Sequence, residues 1–377
     1  MDAKQDRLFS LDLLRGLDMM FLTVFAPLLW GVHAVWGLSD WTQYQLSHPW
    51  EGFTCWDIIM PLFIFICGAA IPFSLERRLE RSGGKPDAGY WKHVAWRVVM
   101  LWTLGLLVQG RLASFDMNQI RFYDNTLQTI ASGYLVCALA VCVPSMRFRI
   151  ALPIACFVLY GVLLHFLGDY SMTGNFAFKV EKAILEPIMP ATSETMREMA
   201  VAAPTEPLEA HYTWYLTSLM AVFMAFAGYF ATKILQSPAA QKVKAMRLYA
   251  YGAILLALGW LLTACGVRMV KHIFTVSFTA QAMGWAALFY ATLYVVADIW
   301  KVRRGFGVCV LFGQFALTAY MIEEFFKPVA EKFANMLVHG LPNLIGTPRY
   351  QPLIIAVFVV AEIIAVMAIR RRLKYGK

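Results

Sequence analysis

The sequence predicts an all-α protein threaded many times through a membrane, and three observations carry that prediction. Hydrophobic residues make up 59% of the 377 residues and charged residues only 15%, against about 25% charged in soluble domains. Mean hydropathy is +0.57. The apolar residues fall in runs of the length a helix needs to cross a bilayer, about 20 residues. Lys and Arg concentrate in alternate loops, about twice as many on one side as on the other. That bias puts both termini in the cytoplasm.

Taken in order, the expected spans are 11–36, 55–75, 93–111, 127–144, 150–167, 213–235, 248–266, 273–299, 306–326 and 352–369, about ten crossings in one transmembrane domain, 1–377. The first opens with Asp12, Arg15 and Asp18, and no small-residue cleavage site follows its apolar part, so it reads as a span and not a signal peptide. The inner loop after the second span holds the polar turn Ser82 to Asp87. Its Gly83-Gly84-Lys85 matches a fragment of a phosphate loop without the full spacing. The long connection 168–212 is expected as an extracytoplasmic loop between spans five and six. It carries a short amphipathic helix from Phe176 to Leu185, ended by Pro187 and Pro190. Loops of this length are usually functional or disordered, and a lid or acceptor-binding element is expected here. Halves 1–168 and 213–377 share no motif, which speaks against an inverted-repeat transporter.

Charge and cysteine usage exclude other classes. The net charge of +9 is scattered over short inner segments, so it is a topology signal and no nucleic acid is expected. The seven cysteines lie in or beside spans without a CxxC pair and read as small packing residues. The histidines do not cluster with cysteines or carboxylates at ligand spacing, so no metal is expected.

Ionisable groups within spans are functional candidates by default. Asp12 and Arg15, three apart on one helix face, are able to pair and mark the cytoplasmic side as a place for an anionic cofactor. His48 and Asp57 stand at the outer mouth of the second span, where a loop must bring them together. A neutral imidazole takes a proton or an acyl group near neutral pH, and a carboxylate fixes its tautomer. The alternative is a surface histidine beside a helix-capping aspartate. Arg111 through Gln128 is an outer loop rich in amides and carboxylates, with Asp116, Asn118, Arg121, Asp124 and Asn125, and groups of that kind bind sugars and amines. Arg268, Lys271 and His272, then Thr275, Ser277 and Thr279, run against the inner positive bias; interfacial snorkelling is their bland reading. Glu323 and Glu324, with Gln314 deeper, would bind a cationic amine or relay protons, or else form a solvated helix end. His33, His165 and Glu362 are weaker candidates.

These motifs together resemble a family. Arg7 through Gly16 resembles the opening of the transmembrane acetyltransferases related to heparan-α-glucosaminide N-acetyltransferase. Trp50-Glu51-Gly52 through Asp57, followed by Pro61 through Gly68, is similar to its second-span pattern. Ala95-Trp96-Arg97, Leu127-Gln128 with Tyr134, and Lys271 through Phe278 resemble later blocks, most closely in the bacterial branch. The resemblance implies movement of an acetyl group from cytosolic acetyl-CoA, as co-substrate, to an amino sugar or related amine on the far side of a bacterial inner membrane. It implies His48 as acetyl carrier or base and Asp57 as its orienting group, with Arg15, Arg97 and Asp12 toward the cofactor. Asn125, Gln128, Lys271, Ser277 and Glu323 fall to the acceptor. The chain departs from the family pattern at Ser47, Glu51, Thr129 and Phe315, and His48 stands two residues before Trp50 where the family's histidine usually stands three before. Transfer should rise with pH through the imidazole range, about 6–7. Expected partners are membrane lipid, acetyl-CoA, the amine acceptor and a second copy in a homodimer. The rival readings are a secondary transporter of an amino sugar or oligosaccharide, and an assembly subunit that kept the fold without the chemistry.

Overall fold

The structure, a computed structural model, describes residues 8–109, 112–115, 120, 122–187, 212–340 and 348–375. Every regular element among them is helical. Among the described residues, seven helices are long and apolar enough to cross a membrane: α1 (Phe9–Trp36), α3 (Trp56–Arg81), α6 (Met146–Leu167), α8 (Ser218–Gln236), α9 (Gln241–Ala264), α10 (Val276–Ile299) and α13 (Gln351–Tyr375). A bent pair, α11 (Gly307–Gln314) and α12 (Ala316–Val338), makes an eighth. The remaining two expected spans are α4 (Ala88–Val108), long but less apolar, and α5 (Thr126–Val141), apolar but only 16 residues. The short helices are α2 (Asp40–Gln45) and α7 (Phe176–Leu185). The last has the bounds expected from its amphipathic pattern; residues 188–211, the rest of the long loop, lie outside the described residues.

The ninth expected span differs most from the sequence reading. Its two helices meet at an angle of 78° around Phe315 where one straight helix, 306–326, was expected. Gly313, just before the bend, packs against the backbone carbonyl of Asp12, a contact no Cβ would permit. Beyond it the helix widens into a π-turn at Ile322–Phe326, ahead of Pro328, whose missing N–H cannot continue the regular ladder.

The chain forms two compact units. One comprises Met1–His48, Thr54–Ile59 and Thr292–Lys377; the other comprises Pro49–Phe53 and Met60–Ala291. In the first, α1 crosses α11 at a seam of small residues, with Gly16 against the carbonyl of Cys309 and Gly313 against that of Asp12. Close backbone approach of this kind replaces the hydrophobic driving force that lipid removes. The Asp298 carboxylate accepts the N–H groups of Phe9 and Ser10 at 3.3 and 3.1 Å. It thereby satisfies the orphan amides at the start of α1 and sits favourably at its dipole.

In the second unit the same device recurs between α3 and α8. Gly68 meets the Ala225 carbonyl and Gly228 meets that of Phe65. A polar knot fastens this crossing. Glu76 accepts from Arg149 Nη1 at 2.7 Å, from the Tyr229 hydroxyl at 2.5 Å and from Lys233 Nζ at 3.0 Å. Arg149 also donates to the Val141 and Val143 carbonyls left over at the end of α5.

Candidate active site

His48 and Asp57 belong to the first unit. Ser39 caps α2, its Oγ accepting from Thr42 N–H, and the chain then turns through Ser47. Thr54 Oγ1 donates to the Ser47 carbonyl at 2.9 Å, and Gln45 Oε1 accepts the Cys55 N–H at 3.0 Å. These two bonds fold residues 45–55 back over the start of α3. Asp57 stands three residues after Thr54, the spacing of a capping box. Its Oδ2 accepts the Thr54 N–H at 3.0 Å, and its Oδ1 lies 2.7 Å from His48 Nδ1. The aspartate is fully buried while the imidazole is 34% exposed. A carboxylate anchored to a backbone amide holds the proton on Nδ1 and leaves Nε2 as the basic nitrogen. The Trp56 ring lies 6.2 Å from the imidazole, and Phe21 supports Trp56 at 5.8 Å.

Asp12 and Arg15 pair at 3.9 Å within the first turns of α1. Glu323 in α12 is buried and accepts from Lys327 Nζ at 2.6 Å.

The other predicted residues lie in the second unit. Arg97 on α4 donates to the Cys67 thiol at 3.5 Å and sits 4.7 Å from the Tyr134 ring centroid. Asn125 and Gln128 are fully buried. Asn125 caps α5 through the Leu127 N–H and donates to Gln109 Oε1 at 2.8 Å. Gln128 accepts from Asp124 N–H and donates to the Phe122 carbonyl. Their amides therefore shape the loop before α5. Arg111, Asp116, Asn118 and Arg121 lie outside the described residues.

Lys271 and His272 occupy a tight turn in which Phe274 N–H bonds the Lys271 carbonyl and Thr275 N–H bonds that of Val270. Ser277 Oγ donates to the Arg268 carbonyl at 2.9 Å, closing the same turn. Lys271 is buried, with Nζ 5.8 Å from the Tyr212 ring, so snorkelling does not describe it. Trp50 stacks on His272 at 5.1 Å and Tyr212 lies against the same imidazole at 4.7 Å. Gly52 allows this approach: its φ of +128° suits glycine alone, and its N–H bonds the Met269 carbonyl at 2.8 Å. Tyr212 and Glu181 escaped the sequence reading. Glu181 left a signal, since it falls on the buried face of α7 with Ala177, Phe178 and Leu185.

An imidazole with a buried carboxylate on one nitrogen, at the start of a spanning helix, is equipped to move a proton or an acyl group. Among the described residues no group of three or more histidines, cysteines and acids is placed to hold a metal ion. Residues 7–205, just over half of the chain, match the family described as heparan-alpha-glucosaminide N-acetyltransferase, catalytic. No curated protein matches the chain.

Proposed function

The chain belongs to the heparan-alpha-glucosaminide N-acetyltransferase family, and from that premise we propose that it transfers an acetyl group from cytosolic acetyl-CoA to an amino sugar, or a related amine, on the extracytoplasmic side of a bacterial cell membrane. The His48–Asp57 pair is the observation that supports this reading most directly. Asp57 fixes the tautomer, and His48 Nε2 serves transfer either as base or as acetyl carrier. As base it takes the proton of the acceptor amine while the new C–N bond forms and the thioester C–S bond breaks, and it returns that proton to the departing thiolate, so that CoA leaves as the thiol. Arg15 and Arg97 are proposed to meet the anionic groups of the cofactor, with Asp12 orienting Arg15. Lys271, Ser277, Asn125, Gln128 and Glu323 are assigned to the acceptor side, the two amides through the loop they shape. The bilayer, and a second copy of the chain, complete the partners.

The test is CoA release from acetyl-CoA by protein purified in detergent, wild type beside His48→Ala. Wild type binds acetyl-CoA and releases CoA, and the variant is slower by about 100- to 10 000-fold while its thermal unfolding is unchanged. Wild-type turnover in the variant overturns the role of His48. Absence of acetyl-CoA binding turns the reading to the rival transporter, which the bend at Phe315 and the buried Glu323 favour, since broken helices carry the binding sites of such proteins.

A further inference from the structure

Outside the His48–Asp57 pair, one buried acid is built into the second unit with defined backbone partners. Glu181 occupies a core position of the amphipathic helix α7 and is 3% exposed. Its Oε2 accepts the Trp214 N–H at 2.6 Å and the Tyr215 N–H at 3.2 Å. Those two amides open the turn that leads into α8, and Thr217 Oγ1 donates back to the Thr213 carbonyl within it. The same short segment has three further attachments. Thr213 N–H bonds the His272 carbonyl at 3.2 Å, Trp214 Nε1 donates to Asp124 Oδ1 at 2.7 Å, and the Tyr212 ring rests on His272. One carboxyl from α7 thus fastens the backbone that sets Tyr212 against the His272 imidazole.

We propose that Glu181 is a pH-sensitive clasp: its carboxyl holds the Trp214 and Tyr215 amides and so positions Tyr212 on His272. The role goes beyond the acetyl-transfer reading, since it rests on the packing of this unit and needs no reaction. Among the described residues, no cation from another element pairs with Glu181. Asp124, from the segment before α5, raises its carboxyl further, and the Tyr160 phenol of α6 and the Tyr215 phenol ahead of α8 are both affected by its charge. Tyr123 faces the same charge; Lys179 and Lys182 are on the helix of Glu181 itself, and Glu186 follows the last helical residue. Burial is the largest effect and pushes the carboxyl up; the two amide bonds pull it down and Asp124 pushes it up again, with the balance at about 8. A neutral carboxyl accepts both amides through its carbonyl oxygen. An ionised one sets an unpaired charge beside Asp124.

The sign follows from linkage. The unfolded chain releases this proton near the ordinary value of 4.5 and the folded chain near 8. The stability contributed at low pH is therefore lost as pH rises from 4.5 through 8, with no further loss above.

Glu181→Gln keeps the accepting oxygen and cannot ionise. Its melting temperature in detergent should equal that of wild type at pH 5 and exceed it by about 2–4 °C at pH 8.5. Glu181→Ala removes the acceptor and should melt lower at both. Hydrogen exchange at Trp214 and Tyr215, read at pH 7, should quicken about tenfold in Glu181→Ala and stay at the wild-type rate in Glu181→Gln. Parallel melting curves for wild type and Glu181→Gln across this pH range, or exchange in Glu181→Gln as fast as in Glu181→Ala, overturn the clasp. Neither readout needs acetyl-CoA or an acceptor, so a failed transfer assay leaves this test standing.

Discussion

Asp57 and Glu76 are two buried carboxylates carried by the same helix, α3, yet their surroundings differ in kind. Asp57 has one oxygen on a backbone amide and the other on an imidazole that is one-third exposed. Glu76 is met by a guanidinium, an ammonium and a phenol, and two of those partners are joined to each other, Arg149 to Tyr229 at 2.9 Å. Arginine never releases its proton in a protein, and the knot ties three helices together, so Glu76 has nothing to hand on. The partner of Asp57 is an imidazole, a side chain that can change its protonation state and carries two ring nitrogens. Burial of a charge inside a membrane protein is therefore not itself the mark of a reactive site. The mark is a partner that can change protonation state and still reach solvent or substrate.

Substitutions that remove one charge at each place separate the two cases. Glu76→Gln turns an amide N–H toward Lys233 and strips the half-buried Arg149 of its counter-charge. We expect a stability loss of about 3–5 kcal/mol, seen as a lowered melting temperature and poor yield. A variant that melts like wild type would show that the knot is not what holds α3, α6 and α8 together. Asp57→Asn keeps the shape of the buried side chain but offers an N–H where His48 Nδ1 needs an acceptor. Its signature is the reverse: CoA release slower by about 10- to 100-fold, with melting close to wild type. Equal turnover would erase the distinction drawn between the two acids. The smallest effect belongs to the exposed pair Arg268–Glu51 at 3.3 Å, both side chains more than half exposed. Glu51→Gln should change stability by no more than about 0.5 kcal/mol, and raised salt should abolish even that difference.

Much of the architecture was legible because membrane crossing is a local property. A run of apolar residues long enough to span hydrocarbon must bond its own backbone and so becomes helix, whatever surrounds it. The short helix Phe176–Leu185 was equally legible, since its apolar stripe sits in one stretch of ten residues. So was the pairing of Asp12 with Arg15, which needs only the helical repeat. His48 and Asp57 were marked as candidates by residue type and place.

Their distance of 2.7 Å was not written in the spacing. It depends on the Thr54–Ser47 and Cys55–Gln45 bonds that fold the loop back. The bend at Phe315 was equally hidden. It accompanies the approach of Gly313 to Asp12, about 300 residues away along the chain, and the hydropathy of the segment is unchanged by it. The Glu76 knot and the Glu181 clasp join residues 33 to 157 positions apart. Hydrophobicity states which segments enter the membrane and nearly nothing about how each helix is rotated. Rotation decides which polar side chains meet, and it is set by side-chain packing and glycine contacts between helices distant in sequence. The sequence by itself determined the helices, their approximate ends and the residue types available for chemistry. Only the tertiary structure decided which acids are paired with groups that can change charge and which are locked.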